Sequence, residues 1–242
     1  MDPVIIIPAR FRSSRFEGKP LTPLLGRPMI ARVWDRCCGA LPPEKIYVAT
    51  DDDRIADACR AEGIQVVMTP DDCLTGTDRI QAAAREITAD IYINVQGDEP
   101  MLRPGDITRV IEAAENAPGE IINAMCPIET EEDFRSTTVP KVAARPDGRL
   151  MYMSRAPIPT DKSHGFRGAM KQVCIYAFPP AALDAFASRK TKTPLEEIED
   201  IEILRFLELG FEVRMIEVSG ASIAVDVPED VARVEAALAA KD

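Results

Sequence analysis

Long apolar stretches are missing from this chain: no run approaches the ~18 residues that a membrane span needs. No cationic leader with a cleavage site precedes the first apolar segment, so membrane is not an expected partner and the cytoplasm is the expected location. Histidine is nearly absent as well. The one at His164 precedes Gly165 in a loop-like stretch, which leaves a histidine base or a Cys–His pair without a source. The cysteines, Cys37, Cys38, Cys59, Cys73, Cys126 and Cys174, form no CxxC and have no histidine at ligand spacing, which excludes a zinc site and suggests reduced thiols. Excess positive charge is lacking too. A formal charge of -11 argues against nucleic acid or an anionic membrane surface. Small anions stay possible, because exposed charges act over only ~8 Å at physiological salt. Neither GxxxxGK[ST] nor GxGxxG occurs, and there is no internal repeat, low-complexity tract or long linker.

What is present is an ordinary globular composition, 46% hydrophobic and 29% charged over 242 residues, enough for one large α/β domain. Val4-Ile5-Ile6-Ile7 reads as a strand buried on both faces, ending near Pro8, which cannot donate to a ladder. Further strands are expected at 45–50, 64–68, 90–95, 121–126, 171–178 and 211–218. Helices are expected at 28–40, 55–61, 75–87, 104–117, 194–208 and after 230. Pro146-Asp147-Gly148 is a turn between two strand-like runs, so a hairpin interrupts the βα alternation. Trp34 and the neighbouring cysteines are expected in the core, and residues 160–170 read as a mobile surface loop.

Several segments carry chemistry, each beside a plainer alternative. The loop after the first strand holds Arg10, Arg12, Arg15 and Lys19 among small residues. It suits a triphosphate, or simply a solvated surface. Asp51-Asp52-Asp53 suits a helix amino terminus better than a metal. Thr75-Gly76-Thr77-Asp78-Arg79 opens a helix, with Thr75 or Thr77 as the cap and Gly76 permitting close approach of a ligand. Gln96-Gly97-Asp98-Glu99-Pro100 follows a strand, where ligands of open parallel sheets sit; it also reads as an ordinary turn. Glu196, Glu199 and Glu202, spaced by three, would share one helix stripe, most simply a solvated one.

Taken together these strings resemble a known family. Ile7-Pro8-Ala9-Arg10, then Ser14 to Leu21, Gly26-Arg27-Pro28-Met29-Ile30, Asn94 to Pro100, Ser154-Arg155-Ala156-Pro157-Ile158-Pro159 and Ala224 to Asp230 resemble the 3-deoxy-manno-octulosonate cytidylyltransferase (CMP-Kdo synthetase) family of sugar nucleotidyltransferases. The resemblance runs along essentially the whole chain. It implies a mixed, mostly parallel Rossmann-like nucleotidyltransferase sheet. Residues 1–242 would form a single domain, with a hairpin insertion at about 140–178 that contributes to a sugar site and to the contacts of a homodimer.

The activity it implies joins CTP to a 2-keto-3-deoxy sugar acid, 3-deoxy-manno-octulosonate, giving the CMP-sugar and pyrophosphate for lipopolysaccharide biosynthesis. Magnesium would be the cofactor, on Asp98 and Asp226, and Arg10, Lys19 and Asp98 would be catalytic. Pro8, Ala9, Arg10, Arg15, Lys19, Thr75, Gly76, Arg79 and Gln96 would surround the nucleotide. Gln96, Arg155, Gln172, Tyr176, Glu196, Glu199 and Glu202 would face the sugar, with Arg155 paired to its carboxylate. Three positions depart from the family pattern: Gln172 and Cys174 replace a usual His and Gly, and Ile203 stands where Gln is common. They motivate an alternative, the same chemistry on an 8-amino-3,8-dideoxy acid or a nonulosonate. A non-catalytic CTP-binding module would bind CTP without releasing pyrophosphate, and a flavodoxin-like domain would bind flavin instead.

Overall fold

In a computed structural model of the chain, the structure describes residues 1–12, 16–220, 222–225 and 227–240. Its elements run β1 (Pro3–Ala9), β2 (Pro23–Leu24), β3 (Arg27–Pro28), α1 (Met29–Cys38), β4 (Ile46–Thr50), α2 (Asp53–Ala61), β5 (Gln65–Met68), α3 (Gly76–Ala84), β6 (Ile91–Val95), α4 (Pro104–Asn116), β7 (Ile121–Pro127), α5 (Glu131–Arg135), β8 (Lys141–Ala144), β9 (Leu150–Ser154), β10 (Met170–Phe178), α6 (Pro180–Ala187), α7 (Pro194–Glu199), α8 (Ile203–Glu208), β11 (Val213–Glu217) and α9 (Asp230–Ala239). The fold is mixed α/β with a mostly parallel sheet, as the resemblance implied. Two compact units divide the chain, residues 1–108 with 221–242, and residues 109–220.

In the first unit, β1 lies between β6 and β4, with β5 beyond β4, all parallel. A strand with neighbours on both edges and cover on both faces must be apolar throughout. Ile5, Ile6 and Ile7 are indeed wholly enclosed. The strand runs one residue past Pro8: its register with β6 stops at Ile6, while that with β4 continues to Ala9. Pro8 is tolerated because its carbonyl faces Gly97, on the edge where the ladder has already ended. Leu24, Met29, Met101 and Val225 pack with Val234 and Leu238 of α9, so the tail of the chain is fastened to the segment after β1.

In the second unit, β11 runs parallel to β7, and β10 pairs antiparallel with both β7 and β8. The expected hairpin is β8–β9, with Val142 opposite Met153 and Gly148 at φ 86 in its turn. The register of β10 shifts between Val173 and Tyr176. Asn123 satisfies the displaced carbonyls there, its amide donating to Val173 O at 3.1 Å and Ile175 O at 2.9 Å.

Several expectations are corrected. The acidic segment 194–208 is two short helices, α7 and α8, because Asp200 adopts left-handed backbone (φ 50) and ends the first. Glu196, Glu199 and Glu202 therefore share no helical stripe. Trp34 is only partly buried, although Cys37 beside it is enclosed. Residues 160–169 lie outside helix and strand, a loop as expected, in which Asp161 accepts from Ser163 N (2.9 Å), Gly165 N (3.0 Å) and Arg167 Nε (2.6 Å). These donors, the Gly165 N–H first, hold the Asp161 carboxyl down at about 2. The short helix α6 and the β2–β3 pair had no clear periodic signal.

Glu196 and Arg205 form an ion pair inside the second unit. Arg205 Nε and Nη2 reach the two carboxylate oxygens at 2.6 and 2.7 Å, and both side chains are at most 1% exposed. The guanidinium carbon lies 3.6 Å from the centroid of the Phe186 ring, and Glu196 closes a capping box with Thr193. Arg205→Met, which leaves a carboxylate enclosed without its partner, is expected to cost about 3–5 kcal/mol in denaturant unfolding. The double variant with Glu196→Gln should recover part of that loss. Two glycines separate packing from backbone freedom. Gly97→Ala sets a methyl 3.2 Å from Pro8 O and should cost about 1–2 kcal/mol. Gly105→Ala meets nothing within 4 Å and should gain roughly 0.4–1 kcal/mol, so their melting shifts should have opposite signs.

Candidate active site

The candidate phosphate site of the first unit grows from the ends of β1 and β6. The chain leaves β1 at exposed Arg10 and returns at Gly18, whose left-handed backbone (φ 70) starts a single helical turn at Lys19. That turn carries Lys19 to the end of β6. Its ammonium donates to Asp98 Oδ2 at 2.8 Å and to Val225 O at 3.0 Å. Val225 N in turn donates to Asp98 O at 3.0 Å. Three segments far apart in sequence thus meet on one cation. Gly97 makes the meeting possible, since a side chain there would crowd Pro8 O and Ile30. The pair is only partly exposed, with side-chain exposures of 18% for Lys19 and 26% for Asp98. Attraction there is screened less than at the surface, and an arriving anion would still reach the ammonium.

The other expected nucleotide residues fall in this unit as follows. Pro8 and Ala9 are buried at the end of β1, and Gln96 is half-buried just beyond β6. Thr75 is the cap of α3: its hydroxyl oxygen accepts from Asp78 N at 3.2 Å, and its hydroxyl donates to Asp78 Oδ2 at 2.7 Å. Gly76 follows as the first helical residue. Arg79 is not free to swing toward a ligand. Its guanidinium is enclosed, bonded to Thr69 Oγ1 at 2.5 Å and paired with Asp51 at 3.2 Å. One oxygen of Asp51 has no hydrogen-bond partner among the described residues. Of the three acids 51–53, Asp52 is the helix cap, accepting from Arg54 N at 3.0 Å. Arg15 and Asp226 lie outside the described residues.

No group of three or more His, Cys, Asp or Glu side chains that could hold a metal occurs among the described residues. Magnesium, however, asks a protein for only one or two carboxylates and takes its other ligands from water and substrate phosphates. Asp98, a hard oxygen donor at a strand end, fits that need, though the Lys19 ammonium on its Oδ2 would share the carboxylate with the metal. Asp226 would be its partner.

Of the sugar-site candidates in the second unit, Arg155 joins a network around Glu199. Its carboxylate accepts from Ser154 Oγ at 2.6 Å, Arg155 N at 2.8 Å and Tyr152 Oη at 3.3 Å. Burial pushes the carboxyl up, but these donors and the Arg155 charge outweigh it and hold the group below its ordinary value. Arg155 is more committed than expected. Its Nε donates to Glu199 O at 2.5 Å, Nη1 to Thr137 O and Nη2 to Asp200 O at 2.9 Å each, leaving two of its five donors for a substrate. Gln172 donates to Asn123 Oδ1 at 2.9 Å, and Tyr176 is buried against Phe178. Glu202 sits at the start of α8, partly exposed. Glu196 is enclosed against Arg205, and Ile203 is buried in the core.

No local pattern singles out Lys141. Its ammonium is wholly enclosed and donates to Ser136 O and Val139 O at 2.7 Å and to Arg155 O at 2.6 Å. Burial, then the Arg155 charge, pushes its pKa down. Asn123 was also missed, since a single Asn inside a strand looks like any other tolerated polar residue. Only the β10 register shift reveals its use.

Comparison with known proteins shows what the chain as a whole resembles. The profile of the Cytidylyltransferase family matches residues 4–216. A 3-deoxy-manno-octulosonate cytidylyltransferase of Acidobacterium capsulatum is 38% identical over 231 residues, covering 95% of this chain and 94% of that protein. One from Geobacter metallireducens is 40% identical over 241 residues, with 95% and 94% covered. A solved CMP:2-keto-3-deoxy-manno-octonic acid synthetase in complex with CTP superposes with a TM-score of 0.91 at 34% identity, covering 100% of each chain. The chain belongs to the cytidylyltransferase family.

Proposed function

We propose that this protein is a 3-deoxy-manno-octulosonate cytidylyltransferase, transferring CMP from CTP to the sugar acid and releasing pyrophosphate. The observation that carries the reading is Lys19, held between Asp98 and Val225 O at the strand ends. The full-length likeness to a synthetase solved with CTP supports it. Arg10 and Lys19 offset the triphosphate charge, Thr75 and Gly76 present a helix amino terminus, and Gln96 follows the end of β6. Glu199 and the remaining donors of Arg155 orient the acid. Its anomeric hydroxyl attacks the α-phosphorus in line. The bond to the bridging oxygen breaks, pyrophosphate leaves, and the hydroxyl proton passes to solvent. Positioning and charge stabilisation supply most of the acceleration in such transfers, which suits a chain with one histidine remote from these residues in sequence.

The proposal extends to magnesium, which when bound supplies positive charge to the phosphate oxygens and which Asp98, with Asp226, would hold. It extends also to a homodimer and to the cytoplasm. Exposed Met151 of the hairpin and Leu195 and Ile198 of α7 support the first, being apolar surface of the kind a second copy covers. All cysteines are free thiols, which supports a reducing compartment. No described helix is long and apolar enough to cross a membrane.

The test is pyrophosphate release with CTP, Mg²⁺ and 3-deoxy-manno-octulosonate, run beside the 8-amino analogue and a nonulosonate. Fast release with the first is expected, and Asp98→Asn should lose at least ~10²-fold in kcat with its melting temperature kept. Release with another acid alone, or near-normal turnover in Asp98→Asn, contradicts the reading.

A further inference from the structure

The loop that presents Arg10 and Lys19 is long and polar, yet its two ends are tightly joined. Gly18 N donates to Phe11 O at 2.8 Å, and a methyl on Gly18 would lie 3.2 Å from two carbons of the Phe11 ring. Phe11 is therefore the residue on which both ends close. Its ring carries a second contact from outside the loop: the guanidinium carbon of Arg54, in the first turn of α2, lies 3.3 Å from the ring centroid. Arg54 is itself fixed. Its Nε and Nη2 donate to the two oxygens of Asp52 at 2.9 and 2.7 Å, and its backbone N–H is the one that Asp52 caps at 3.0 Å. The hydrogen bonds to Asp52, first among the causes, raise the guanidinium pKa further, and Glu17 of the same loop adds to the effect, so the group is always a cation.

We propose that Arg54 is a positioning residue for the phosphate-binding loop, acting through the ring of Phe11 to hold Arg10 and Lys19 in place. Three features point to this role. A guanidinium stacked on an aromatic face is a directional contact, not a diffuse surface charge. The bidentate pairing with Asp52 fixes the plane of the fork, and α2 fixes Asp52 in turn. The α2 cap needs only the Arg54 backbone, so the side chain is not required for the helix. A loop end displaced by about 1 Å would cost on the order of 10²-fold in a reaction that depends on placement. The inference rests on the CTP-dependent reading above.

The experiment compares wild type, Arg54→Gln, Arg54→Lys, Phe11→Leu and the Arg54→Gln/Phe11→Leu double variant. Steady-state constants are measured for each substrate, and CTP dissociation constants by calorimetry. Arg54 is solvent-exposed, with 61% of its side chain accessible, so its variants should fold, which thermal melting checks. Arg54→Gln is expected to raise KM and Kd for CTP about tenfold and to lower kcat, with KM for the sugar acid unchanged. Arg54→Lys should restore part of the loss, and the double variant should be no worse than the poorer single one. CTP constants within twofold of wild type in Arg54→Gln, or equal rises in both KM values, overturn the proposal, as do fully additive losses. A wild-type enzyme that binds CTP but releases no pyrophosphate overturns the transferase reading alone. The CTP dissociation constants then decide the role of Arg54.

Discussion

One ammonium group holds the candidate phosphate site together. Lys19 reaches Asp98 after β6 and the Val225 carbonyl ahead of α9. These groups lie 79 and 206 positions away along the chain, and the sheet register brings the first two together. A half-buried cation of this kind must have acceptors, because an unpaired charge at a strand end would cost more than the contact returns. Here the acceptors are a carboxylate and a carbonyl, and triphosphate oxygens would be chemically equivalent replacements. The surroundings serve that geometry. Gly97 lets the β6 loop close onto β1, Gly18 turns the chain into Lys19, and α9 packs against Leu24 and Met29 to keep Val225 in reach.

The second unit handles enclosed charge in two different ways. Arg205 and Glu196 neutralise each other completely, so they stiffen the packing around α7 and α8 and offer nothing to a ligand. Lys141 instead donates to three carbonyls. Burial and the Arg155 charge push its pKa down, and the Glu199 carboxylate opposes them in part. Glu199 then gathers the neutral donors Ser154 and Tyr152 with the Arg155 N–H.

Much of this could be read from the chain. The strand Val4–Ile7, the hairpin turn at Gly148, the Thr75 cap and the Asp52 cap all follow from local rules, because short-range sterics and hydrogen bonding decide them. The Lys19–Asp98 meeting was legible only through the family resemblance, since no local rule links positions 79 apart. What failed did so for tertiary reasons. A continuous helix over 194–208 satisfied periodicity, but a left-handed Asp200 cut it, and Glu196 was drawn inward by Arg205. Arg79, expected at the nucleotide, is held by Thr69 and Asp51, contacts that no local rule announces. Ile203 is likewise buried in the core, which the helical pattern alone did not separate from the exposed positions around it.

The account stands or falls on Lys19 as the group that receives the triphosphate. Calorimetric titration of Lys19→Met with CTP and with cytidine isolates that claim. CTP affinity should fall at least tenfold, about 1.4 kcal/mol, while cytidine affinity stays at the wild-type value. Equal CTP affinity in wild type and variant would contradict it.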